Sequence, residues 1–193
     1  MSLISEIMEY NKSFVENKEY EQFLTDKFPD KKMVIITCMD TRLTELLPRA
    51  MNLHNGDAKV IKSAGAVVSH PFGSIMRSVV VAVYQLEADE VLVIGHHDCG
   101  MTGLNPDQVL DRAKARGVTD EMVNLLKHAG INLNSWLTGF DNVEDSVKQS
   151  VNMIRNHPLM PKKIPVHGLI VHPQTGKLDL VDDGYAYAAA SRE

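Results

Sequence analysis

The 193-residue chain has little with which to staple, anchor or steer itself. It contains two cysteines, Cys38 and Cys99, too few for the disulfide framework of a small secreted scaffold. A single bridge between them stays open on that count. No apolar run approaches the roughly 18–20 residues of a membrane-spanning helix; the longest are VVVAVY at 79–84 and VLVIG at 91–95. Positive charge is not in excess. Against 25 Asp+Glu there are 20 Lys+Arg, for a net charge of −5 and a pI near 5.9, which argues against a nucleic-acid protein held by phosphate contacts. Internal repeats and low-complexity tracts are missing as well. The amino terminus, MSLISEIMEY, carries two glutamates and no long apolar core, so no secretory signal is expected. A cytoplasmic location with reduced thiols follows as the expectation. What is there is ordinary globular composition, 44% hydrophobic and 23% charged. The length suits one domain, 1–193, with enough chain to bury a core without staples.

Patterning predicts alternating strands and helices. Residues 3–23 are polar with spaced apolar positions and no Gly or Pro, which predicts two short amphipathic helices in an amino-terminal arm, residues 1–30. MVIIT (33–37), AKVIK (58–62) and EVLVIGH (90–96) read as strands; continuous apolar, β-branched runs are typical of buried parallel strands. Residues 43–51 suggest a helix interrupted by Pro48. Residues 74–88 suggest a longer one capped by Ser74 or Gly73. Two helices are expected at 107–117 and 119–129, with Gly117 and Gly130 as their stops, and another at 142–156 behind an acidic first turn. PVHGLIVHP (165–173) and KLDLVDD (177–183) read as strands joined by Gln174-Thr175-Gly176. The order predicts an α/β fold with a mostly parallel sheet and helices on both faces. Ligand sites in such folds lie at the carboxyl ends of strands.

Both cysteines fall at such ends. Cys38 opens Cys38-Met39-Asp40-Thr41-Arg42; Cys99 ends His96-His97-Asp98-Cys99. If 38–42 stays extended, Cys38, Asp40 and Arg42 project to one side. Cys38, His96 and Cys99 make a Cys₂His set, which suits zinc, and three protein ligands leave the fourth position for water, as in catalytic sites. Asp40 is a possible fourth ligand. Either half-motif alone is weak, because a buried Cys at a strand end is usually filler. The conjunction carries the reading, and two thiolates beside one His suit a soft metal better than a thiol relay.

C-x-D-x-R at 38–42 with G-H-x-x-C-G at 95–100 resembles the β-class carbonic anhydrases, over most of the chain from about 33 to 183. The short length and Met39 are closer to the smaller microbial branches than to the plant type. Ser63-Ala64-Gly65 resembles the family's N-A-G segment, with Ser63 in the Asn position. The resemblance implies zinc on Cys38, His96 and Cys99, and a sheet of order 2-1-3-4 with a fifth antiparallel edge strand. It also implies a homodimer, or a multiple of dimers, in which the 1–30 arm packs on the partner. The implied reaction is reversible hydration of carbon dioxide to bicarbonate and a proton by zinc-bound hydroxide. Asp40 would orient that nucleophile, and Arg42 would hold Asp40 in a bidentate fork. Ala64, Gly65 and Gly100 are candidate walls for a small apolar substrate. Two other readings stand beside it: a carbonyl sulfide or carbon disulfide hydrolase on the same zinc site, and a non-catalytic zinc-binding protein.

Overall fold

Met33–Cys38 forms β1, flanked by β2 (Ala58–Ser63) and β3 (Glu90–His96); β4 (Val166–Val171) lies beyond β3, and β5 (Leu178–Asp182) ends the sheet. This computed structural model describes residues 2–190. The strand order is β2-β1-β3-β4-β5, parallel through β4 with β5 antiparallel, as expected. β1, β3 and β4 are buried almost throughout. The near-continuous apolar sequences of β1 and β3 are what burial on both faces requires, β4 departs from this at the buried His167, and edge strand β2 is half-exposed.

Helices cover both faces. On one, Met76, Val79 and Ala82 of α3 (Ser74–Gln85) and Val147, Val151 and Ile154 of α7 (Val143–Arg155) pack on Val34, Ile36, Val91 and Val93. On the other, Leu43 and Leu47 of α2 (Leu43–Ala50) meet Ile35, Leu92 and Ile94. α7 reaches the sheet closely because two strand positions lack a side chain. A Cβ at Gly95 would sit 2.7 Å from Val147 Cγ2, and one at Gly168 would sit 2.8 Å from Val147 Cγ1.

Several local expectations are corrected. The arm holds one α-helix, α1 (Leu3–Glu16), followed by a 3₁₀ turn at Glu19–Phe23; Lys18 in the left-handed region (φ 56°) separates them. α2 continues through Pro48 instead of breaking there, giving up one backbone bond while Leu43 and Leu47 keep their burial. Gly73 is the N-cap of α3 and Ser74 its first helical residue. That helix stops at Gln85 rather than 88, where Glu87 turns left-handed (φ 58°). α4 (Pro106–Lys114) and α5 (Asp120–His128) lie where expected, and Gly117 and Gly130 past their ends have positive φ. Asn142 caps α7, accepting from the N–H groups of Glu144 and Asp145 at 2.8 and 3.1 Å. Two further helices, α6 (Leu133–Leu137) and α8 (Gly184–Ala190), form where the sequence pattern predicts none. Among the described residues no helix is long and apolar enough to cross a membrane.

Candidate metal centre

β2 lies on one side of β1 and β3 on the other, so the strand order switches direction between β1 and β3. Crevices at such switch points, beyond the carboxyl ends of the strands, are where α/β sheets bind ligands. Thr37 pairs with Ile94, which sets Cys38 and His96 side by side at the carboxyl ends of β1 and β3. Asp98 then adopts a left-handed conformation (φ 53°), which returns the chain so that Cys99 faces Cys38. The two sulfurs are 3.9 Å apart, and the ligand atoms of Cys38, His96 and Cys99 all lie within 4.8 Å of one another. All three residues are buried, and both cysteines are free thiols, which settles the open question of a disulfide.

His96 shows what the cluster is built for. Its Nδ1 is 2.8 Å from the His97 carbonyl oxygen. A carbonyl only accepts, so Nδ1 carries the proton and Nε2 presents a lone pair. Nε2 is buried with no hydrogen-bond partner. A buried polar atom left unpaired costs about 1–3 kcal/mol, and here it faces two thiols. An imidazole nitrogen oriented by a carbonyl behind it, with two sulfurs beside it, is the donor set that zinc takes.

The two thiols differ in acidity. Burial pushes Cys38 up, but the adjacent His96 and the backbone N–H groups of Asp40 and Gly65 outweigh it, and its pKa falls from 9.0 to about 7. The Gly65 nitrogen lies 3.3 Å from Cys38 Sγ. Burial prevails at Cys99; an N–H from Met101 offsets it in part, the neighbouring Cys38 adds to it, and the pKa rises to about 11. For His96 burial acts downward, but Cys38 and the His97 carbonyl raise its pKa above the usual 6.5.

Asp40 and Arg42 meet, though not on an extended strand. The chain turns after Cys38, and Arg42 has helical dihedrals (φ −63°, ψ −23°). Asp40 Oδ1 accepts the Arg42 backbone N–H at 2.9 Å, closing the turn. The guanidinium then forks onto the carboxylate, Nε to Oδ1 at 3.0 Å and Nη2 to Oδ2 at 2.9 Å. These hydrogen bonds, foremost those of the Arg42 side chain, hold Asp40 at about 2, below its ordinary 3.8. A carboxylate has about four acceptor sites, and three are used. The remaining one belongs to Oδ2, which lies 3.8 Å from His96 Nε2.

Asp98 is the site residue that sequence reasoning missed. Its carboxylate accepts from Arg42 Nη1 at 2.7 Å and its carbonyl from Nη2 at 2.8 Å. Arg42 thereby bolts the two motifs together, and Asp40 and Asp98 keep its pKa raised. The available signal was an acidic residue inside H-x-D-C, of a type that tolerates the left-handed turn. Of the candidate substrate walls, Gly65 is buried against Cys38 with φ 70°. Ala64 lines a cavity of about 740 Å³ between the start of α3, α6 and α7. Gly100 is exposed, with open space where a side chain would stand.

The carbonic anhydrase family profile matches residues 33–178. A Bacillus subtilis protein, YvdA, provisionally named a carbonic anhydrase, is 63% identical over 185 residues, covering 96% of this chain and 94% of its own. The crystal structure of β-carbonic anhydrase isoform I from Trichomonas vaginalis superposes with a TM-score of 0.88 at 35% identity, covering 96% of this chain and 100% of that one. A carbon disulfide hydrolase of Acidithiobacillus thiooxidans is 26% identical over 156 residues, 77% of this chain and 76% of its own. The chain belongs to the β-class carbonic anhydrase family, a family of enzymes.

Proposed function

We propose that this protein is a zinc-dependent carbonic anhydrase, interconverting carbon dioxide and bicarbonate plus a proton. The carrying observation is the buried, unpartnered His96 Nε2 set between two thiols, with the Asp40 carboxylate 3.8 Å away. Cys38, His96 and Cys99 would hold the metal; as two thiolates and a neutral imidazole they balance its charge. The chemistry a zinc ion would supply there is the acidification of a bound water, which makes a nucleophile available near neutral pH.

The chain's own residues supply the rest. Arg42 occupies three acceptor sites of Asp40 and leaves one on Oδ2 facing the ligand atoms. From there Asp40 accepts a hydrogen bond from the attacking water and aims its lone pair. The fork also keeps Asp40 ionised and drawn away from the metal position. Ala64, Gly65 and Gly100 would border the carbon dioxide site. Two free buried thiols used as ligands fit a reducing, cytoplasmic setting. The arm fits a homodimer: α1 buries none of its residues and exposes Leu3, Ile4, Ile7 and Met8, an apolar face that calls for a partner.

Hydrolysis of carbonyl sulfide or carbon disulfide is the second reading, favoured by the 26% identical relative named a carbon disulfide hydrolase. Metal analysis with stopped-flow hydration tests the first. Wild type is expected to carry zinc and hydrate carbon dioxide. Asp40→Ala is expected to keep zinc and lose about 10–100-fold in rate, and Cys38→Ser to lose the metal. Zinc-loaded wild type with hydration indistinguishable from buffer would reject the assignment.

A further inference from the structure

The 740 Å³ cavity is far larger than a triatomic substrate needs; volumes of about 300–1,000 Å³ hold drug-sized ligands. Its walls therefore cannot select by size, and selection must fall where the cavity meets the ligand cluster. Ala64, Met101 and Phe140 line the cavity there. Met101 and Phe140 also pack against the apolar cluster that contains Cys38 and Cys99. Both touch Gly65: a Cβ on that glycine would lie 2.8 Å from Phe140 Cε1 and 3.0 Å from Met101 Cγ. Gly65 donates its N–H to Cys38 Sγ, and Met101 packs on the cluster that holds Cys99, two residues before it in the chain. One wall thus faces the cavity on one side and both ligand sulfurs on the other.

The wall is held rigidly. Phe140 N–H donates to the Met101 carbonyl at 3.1 Å, and Gly103 N–H donates to the Phe140 carbonyl at 2.9 Å. Thr102 and Phe140 form a parallel bridge. Gly139 permits this approach, since a Cβ there would fall 1.9 Å from the Met101 carbonyl oxygen. These backbone bonds fix the positions from which the two side chains project, and packing on Gly65 and on the cysteine-containing cluster places the aromatic ring and the thioether.

The geometry points to Met101 and Phe140 as the specificity-determining constriction, which admits carbon dioxide from the cavity and discriminates against the longer carbonyl sulfide and carbon disulfide. The substrate half of this inference rests on the proposed hydration activity, so the test has one arm that does not. In the zinc-loaded protein, metal release is followed with a chromogenic chelator under methyl methanethiosulfonate, a small thiol reagent, and under a bulky aromatic disulfide. In Phe140→Ala the ratio of the bulky to the small reagent's rate is expected to rise about tenfold, the scale on which a pocket discriminates by one or two methylenes. Phe140→Leu, which keeps apolar packing, is expected to give a smaller rise in the same direction, and serves if the alanine variant does not fold. In the second arm, kcat/KM for carbonyl sulfide relative to carbon dioxide is expected to rise by about the same factor in Met101→Ala and in the Phe140 variants.

Unchanged reagent ratios would overturn the inference, leaving the Asp40–Arg42 side as the route to the metal. Altered reagent ratios with an unchanged substrate ratio would overturn the specificity role. Altered reagent ratios in a protein whose wild type hydrates nothing would reject the hydration reading and keep the constriction.

Discussion

Zinc uptake by the metal-free protein should release close to one proton across the mildly alkaline range, and nearly the same number at both ends of it. The perturbation is the addition of chelator-buffered zinc, with thiocyanate present to fill the position a water would take. Metal-binding cysteines must bind as thiolates, so each thiol still protonated gives up its proton. Cys38 stands at about 7 and Cys99 at about 11. At pH 8.5 the first holds about 0.03 proton and the second nearly one whole proton; at pH 9.5 the sum is still about 1.0. Two thiols at the ordinary 9.0 would release about 1.5 protons at pH 8.5 and about 0.5 at pH 9.5. The plateau is therefore the signature of the split.

Below pH 8 the count should climb, as Cys38 regains its proton and His96, raised above its usual value, must lose one to expose Nε2. The logarithm of the zinc affinity rises with pH at a slope equal to the protons released. That slope should lie near one in the alkaline range and between about two and three near pH 6. Calorimetry in buffers of different ionisation enthalpy gives the proton count directly. A release that falls steadily from about 1.5 to about 0.5 would refute the reasoning, because it would mean that the Gly65 N–H and His96 do not favour the Cys38 thiolate over that of Cys99.

Three further outcomes follow from the geometry. Arg42→Ala should keep zinc and lower hydration by about 10–100-fold in stopped-flow assays. It should also return Asp40 towards 3.8. A depressed carboxylate adds stability that is present above its unfolded pKa and lost as pH falls through the folded one, here between about 3.8 and about 2, so acid titration of the variant should lack the wild type's loss in that window. Gly95→Ala should destabilise by about 1–3 kcal/mol in chemical denaturation, because its Cβ would meet Val147 and Val143 at 2.7 and 2.8 Å; full wild-type stability would show that α7 moves away freely. Arg155 is buried with its guanidinium on the Asp182 carboxylate and the Val166 carbonyl, and over the Tyr187 ring. Arg155→Met should therefore cost about 3–5 kcal/mol, and the double variant with Asp182→Leu should recover much of it, an additive loss counting against a true pair.

The residues that could be read from sequence are those whose role is set by neighbours in the chain. β1 and β3 announce themselves because a strand buried on both faces must be apolar at every position, and Cys38 and His96 follow because each ends such a strand. The Asp40–Arg42 pair is legible for a partly wrong reason: a spacing of two suggests strand periodicity, whereas the carboxylate captures the Arg42 N–H and folds the segment into a turn. α6 spans five residues, too few for a 3.6-residue period to show. Asp98 carries only a faint local signal, a residue type that tolerates the left-handed turn, and Met101 and Phe140 carry none. Their roles exist only through space. Arg42 and Asp98 meet because parallel pairing of β1 and β3 sets one motif beside the other, and Phe140 reaches Gly65 because Gly139 lets two loops touch. The donor atoms of this site are a local property of two short motifs. What orients them and what can reach them belong to the packing between motifs, and for that reason variants at Asp98 and Phe140 probe the fold's contribution to chemistry more sharply than removal of any ligand.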